Sequence, residues 1–143
     1  MNFIYNDGGR KAAGFRGDTG DCVVRAIAIA TQIPYQEVYD GINELAQRER
    51  RGVRKRGIST AARGVYRNTY DRYLTAHGWT WTPTMKIGSG CKVHLTDGEL
   101  PANRRLIVVV SRHLTAVING AVHDTHDPQR GTKRCVYGYW SKP

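Results

Sequence analysis

The stretch Cys22-Val23-Val24-Arg25-Ala26-Ile27-Ala28-Ile29-Ala30 constrains the fold most, because every residue in it except Arg25 belongs inside a protein. A β-strand is the competing reading, since Val and Ile favour extended backbone. The alanine content, the length to Gln32 and the preceding Asp21 favour a buried helix. Asp21 reads as its N-cap, with the carboxylate accepting backbone N–H groups left unpaired in the first turn. Cys22 then falls just inside the helix.

Two further helices follow the same logic. Pro34 suits a first helical turn, and Val38, Ile42, Leu45 and Ala46 recur on one face of a helix expected to end near Gly52. Ser59 is expected to cap a third helix, with Ala62, Val65, Tyr66, Thr69, Tyr70 and Tyr73 on one broad side and Gly78 as its stop. Beyond Gly78 the texture changes. Trp79-Thr80-Trp81 alternates, residues 106–110 are rich in β-branched side chains, and residues 115–118 lead into Asn119-Gly120, the strongest short hairpin signal. Residues 121–125 should return antiparallel, and residues 134–140 form another strand. Helices first and an antiparallel sheet afterwards define an α+β fold, and 143 residues leave room for one domain.

Lys and Arg total 22 against 12 Asp and Glu, a net charge of +10 that attracts polyanions or acidic protein surfaces. The sharpest local bias is the run containing Arg50, Arg51, Arg54, Lys55 and Arg56, which would bind nucleic acid or an acidic protein by neutralising its charges. Tyr66, Tyr70 and Tyr73 would stack on bases, although their helical spacing also fits core packing. Apolar runs such as residues 26–30 fall far short of the roughly 18 residues of a membrane span, so no membrane partner is expected. The first ten residues carry no readable secretory signal, and the expected compartment is the cytoplasm. Cysteines at 22, 91 and 135 form an odd, widely spaced set in which at least one thiol should stay free. Nothing in the sequence fixes an oligomeric state or calls for a cofactor. Cys91-x-x-His94 and His123-x-x-His126 supply zinc-type donors, but without the familiar Cys-x-x-Cys knuckle no metal site is assigned. Gly88-Ser89-Gly90 lacks the Lys-Ser/Thr of a phosphate loop.

The chemistry points to Cys22. A helix N-terminus stabilises a thiolate, and His113, following one strand and opening the next, can serve as its basic partner. Asp124, on the return strand of the hairpin, can accept the second ring N–H and fix the imidazole. In the alternative reading Cys22 is an inert core thiol and Asp124 and Asp127 are turn residues.

Gly20-Asp21-Cys22 opening a helix, His113 beginning a strand as His-x-x-x-Val-Ile, and the segment Asp124-Thr125-His126 together resemble the papain-like cysteine peptidase superfamily. The last segment is similar to that superfamily's Asn-Ser-Trp or Asp-x-x segment. The resemblance implies the papain-like arrangement, a Cys helix packed on the C-terminal sheet, and thiol attack on an amide or thioester of a protein or peptide substrate. It further implies Cys22, His113 and Asp124 as a triad. The spacing also resembles that of bacteriocin-processing peptidases, which nominates Asp127 instead; Pro128 makes Asp127 a turn residue and favours Asp124. Papain-like enzymes carry a Gln six residues before the Cys as an oxyanion donor, and here that position is Arg16. The Cys22 backbone N–H supplies one donor, with Arg16 or Asn6 as a second candidate. The overall texture also resembles small proteins of phages and mobile elements.

Overall fold

The structure, a computed structural model, describes residues 1–17, 20–49 and 57–143. In chain order these form β1 (Asn2–Tyr5), α1 (Cys22–Thr31), α2 (Tyr35–Gln47), α3 (Arg67–Ala76), β2 (Thr80–Pro83), β3 (Arg105–Val110), β4 (His113–Ile118), β5 (Ala121–Asp124) and β6 (Val136–Ser141). The architecture is α+β, with a six-stranded sheet in the order β1-β5-β4-β3-β6-β2. It is a mixed sheet rather than the antiparallel one expected, because β1 joins the edge parallel to β5, with Tyr5 opposite Asp124. Among the described residues no helix is long and apolar enough to cross a membrane.

Alternation along β3 explains why its sequence is apolar from Leu106 to Val110. Ile107 and Val109 face a cluster that includes Val24 and Ile27 of α1, Val38 and Ile42 of α2, and Tyr70, Tyr73 and Leu74 of α3. Leu106, Val108 and Val110 face the other way and meet Val117, Val122, Val136, Leu95 and Leu100. Both faces of the central strands are therefore covered, and period-two patterning disappears from the sequence there. Tyr70 and Tyr73 are core residues, which removes them as base-stacking platforms. The Asn119-Gly120 turn forms as read, with φ of 49° and 78°. Those left-handed values are what a two-residue hairpin of this type demands.

Three helix boundaries depart from the sequence reading. Asp21 makes no side-chain cap for α1. Its carboxylate instead accepts from the Tyr35 hydroxyl at 2.6 Å and pairs with Arg25 and with Arg10, whose Nε lies 3.3 Å away. Two guanidinium groups outcompete backbone amides for a carboxylate that is 1% exposed. α2 stops at Gln47 rather than near Gly52, and Pro34 takes its N-cap position instead of lying inside the first turn. α3 begins at Arg67, not after Ser59. Ser59 still shapes that start, because its hydroxyl oxygen accepts the Tyr66 N–H at 2.9 Å and meets the Thr69 hydroxyl at 2.7 Å.

At the far end of α1 the Arg105 guanidinium donates to the carbonyls of Ile29 and Ala30, both at 2.7 Å. These are among the carbonyls a helix C-terminus leaves unpaired, and the positive charge also suits that end of the helix dipole. α1 is thus fixed to α2 at one end and to β3 at the other. Replacing Asp21 with Asn should cost about 3–5 kcal/mol in urea unfolding, because it removes the carboxylate that two nearly buried guanidinium groups share and leaves Arg10 without a counter-charge among the described residues. Tyr35→Phe, which removes one hydroxyl donor, should cost about 1–2 kcal/mol. A loss below about 1 kcal/mol for Asp21→Asn would contradict this account of the α1 anchor.

Candidate active site

An antiparallel hairpin brings its first and last residues to the same end, so the turn at Asn119-Gly120 carries His113, the first residue of β4, to Asp124, the last of β5. His113 Nε2 lies 2.7 Å from Asp124 Oδ2. The Thr115 hydroxyl donates to the same oxygen at 2.7 Å, and the Thr125 backbone N–H donates to Oδ1 at 2.7 Å. Arg25, one turn into α1, extends Nη2 to within 3.8 Å of Oδ1. Cys22, half-buried at the start of α1, has the His113 side chain and the Leu114 backbone N–H as neighbours that act to lower its thiol pKa. His113 is thus hydrogen-bonded to Asp124 and acts electrostatically on Cys22.

The electrostatics follow from burial working against these partners. Burial pushes the Cys22 thiol up, yet the hydrogen bonds from His113 and Leu114 and the charges of His113 and Arg25 bring it below the ordinary thiol value. Burial alone would lower the His113 pKa, but the hydrogen bonds to Asp124 and Cys22 and their negative charges push it up to about 9. Burial likewise opposes ionisation of Asp124, whose carboxyl is nonetheless held below the usual range by His113, Thr115 and the Thr125 N–H. The three shifts agree in direction: thiolate, imidazolium and carboxylate stabilise one another in a nearly dry setting.

The other sequence candidates fall elsewhere. Asp127 is exposed, and its Oδ1 accepts the Gln129 N–H at 3.0 Å, a turn contact of its own. The Asn6 side chain is occupied by the Gly8 N–H and by His123 Nδ1, while its backbone N–H donates to the Asp124 carbonyl at 2.9 Å. Arg16 is exposed and lines a cavity of about 650 Å³ beside the site, together with Arg10, Lys11, Asp21, Arg25 and His126. Arg50, Arg51, Arg54, Lys55 and Arg56 lie outside the described residues. Cys91 is joined to Cys135 by a disulfide, which leaves Cys22 as the free cysteine and takes Cys91 out of the zinc-type donor set. Among the described residues no cluster of three or more His, Cys, Asp or Glu side chains is disposed to hold a metal ion.

Thr115, Arg25 and Tyr35 were not singled out in the sequence, although two of them left a signal. Thr115 follows His113 by two residues and so projects from the same side of β4. Arg25 follows Asp21 by four, the spacing of a helical ion pair. Tyr35 left none, because its bond to Asp21 depends on how α1 and α2 pack. No protein-family model, curated protein or solved structure matches this chain.

Cys22 should be the fast-reacting thiol toward iodoacetamide, and its rate should already be high at neutral pH because its pKa is lowered. His113→Ala leaves burial unopposed by the imidazolium, which raises the thiol pKa and should slow alkylation at pH 7 by about tenfold or more. Equal rates in the two proteins, followed by peptide mass mapping, would contradict the ion pair.

Proposed function

We propose that this protein is a papain-like thiol hydrolase or acyltransferase that acts on an amide or thioester carbonyl. The observation that carries the reading is the 2.7 Å hydrogen bond between Asp124 and His113, whose imidazole acts to lower the pKa of Cys22 at the N-terminus of α1. The Cys22 thiolate attacks the carbonyl carbon, forming a C–S bond and moving an electron pair onto oxygen. The Cys22 backbone N–H, at the positive end of α1, is the candidate first donor to that developing charge, with Arg16 as the candidate second. Collapse of the tetrahedral species breaks the bond to the leaving amine or thiol, which takes its proton from the His113 imidazolium. His113, now neutral, accepts a proton from water or an acceptor amine as that nucleophile attacks the thioester. Cys22 is released as thiolate beside a reprotonated His113.

Asp124 has an orienting role. Its carboxylate, fixed by Thr115 and the Thr125 N–H, holds the ring so that the other nitrogen faces sulfur, and it stabilises the charge on the imidazolium. Substrates are proteins or peptides, or their thioesters, as the chemistry of the site allows.

The reading is tested with p-nitrophenyl acetate, which should give a burst of p-nitrophenol and an acetyl group on Cys22 detectable by mass spectrometry. Cys22→Ala should abolish both. Asp124→Asn should lower turnover about a hundredfold or more, the range lost with impaired acid–base catalysis, whereas Asp127→Asn should change it by less than about threefold. The pH profile should fall on the alkaline side near 9, where His113 loses its proton, and on the acid side below the ordinary thiol range. Acetylation that persists in Cys22→Ala, or equal losses at positions 124 and 127, would refute the assignment.

A further inference from the structure

His113 also lines a second cavity, of about 470 Å³, together with Ser111, Arg112, His126, Arg130, Arg134 and Pro128. Three arginines from two separate segments meet there, and none forms an ion pair with a carboxylate among the described residues. The contrast with the neighbouring cavity is informative. There Arg10 and Arg25 are compensated by Asp21, and Arg25 also approaches Asp124.

Arg134 is the strongest part of the argument. The residue is only 8% exposed, one of its terminal nitrogens donates to the Ser111 carbonyl at 2.6 Å, and its buried Nε has no hydrogen-bond partner among the described residues. A buried guanidinium needs an anion or a full set of acceptors, and this one has neither among the described residues. Arg112 and Arg130 are exposed and flank it, and each adopts left-handed backbone, with φ of 58° and 52°, where Gly or Asn would fit with less strain. The fork of donors that arginine presents matches the paired oxygens of a carboxylate or phosphoryl group. His126 completes the setting, its ring tilted against that of His113 with centroids 5.0 Å apart.

We propose that Arg112, Arg130 and Arg134 form a subsite for an anionic group, carboxylate or phosphoryl, carried by the leaving-group portion of the substrate. The assignment to the leaving group rests on the proposed reaction, in which His113 protonates that fragment and therefore borders it. An amine bearing a carboxylate next to the broken amide bond, as in a free amino acid or the acidic end of a peptide, has the required form. Its anion would supply the acceptors that Arg134 lacks.

Two measurements separate this subsite from the hydrolase reading. The first compares alkylation of Cys22 by anionic iodoacetate and by neutral iodoacetamide at fixed ionic strength. Changing Arg112 and Arg130 together to Gln, which spares the buried Arg134, should lower the iodoacetate to iodoacetamide rate ratio about fivefold or more, because the anion loses its attraction. An unchanged ratio overturns the subsite while leaving the reactive thiol in place. The second uses Cys22→Ala, in which no acylation is possible, and follows the His113 and His126 ring signals by NMR as inorganic phosphate or N-acetylglycine is added. Saturable shifts that vanish with Arg112→Gln and Arg130→Gln support the subsite even if the protein proves not to be a hydrolase. The probe that saturates at the lower concentration identifies the source, phosphoryl or carboxylate. No shift with either probe, or the same shifts in the arginine variant, overturns the proposal.

Discussion

Arg25 lies between two buried carboxylates, and the placement of Cys22 relative to His113 and Asp124 depends on it. On one side it pairs with Asp21, the residue before Cys22, and on the other it reaches Asp124 at the end of the β4–β5 hairpin. Asp21 in turn takes hydrogen from Tyr35 on α2 and pairs with Arg10 from the N-terminal segment. Four separate segments are thereby referred to one point, at the end of α1 where Cys22 begins the helix. Charges this well buried are costly to leave single, so the network tolerates little displacement of any member.

The same low exposure gives the Cys–His–Asp chain its character. A lone thiol in this position would stay protonated, and a lone histidine would stay neutral, because burial disfavours both ions. Each becomes charged because the other is charged, and Asp124 biases the balance by holding its own carboxylate ionised through three hydrogen bonds. The thiolate and the imidazolium therefore form together, as the proposed reaction requires of its nucleophile and its acid. Losing one partner removes the reason for the other.

The parts of this arrangement that could be read from sequence rest on local signals. Asn119-Gly120 fixes a two-residue hairpin, and that alone carries His113 and Asp124 to one end. The apolar run after Asp21 fixes α1 and the placement of Cys22 at its start. What escaped the sequence reading depends on non-local partners. β1 is four residues long, and its parallel partner β5 is more than a hundred positions away, so no hairpin signal marks it. Asp21 looked like a helix cap because the arginines that claim it come from position 10 and from one helical turn later. α3 starts later than the Ser59 signal implies because Ser59 holds the Tyr66 N–H across the six residues between them rather than capping the next turn. The arginines around His113 are unremarkable in a chain with 22 basic residues, and only the fold brings Arg112 to Arg130 and Arg134.

The most direct measurement of the central claim is the NMR titration of the His113 ring in nitrogen-labelled protein. Because Cys22 and Asp124 both favour its charged form, His113 should hold both ring protons through neutral pH and titrate near 9. Cys22→Ala and Asp124→Asn should each move that titration downward, since each removes one source of the raised pKa. A His113 that titrates at or below the ordinary histidine value, and that ignores both substitutions, would contradict the coupled thiolate–imidazolium–carboxylate centre.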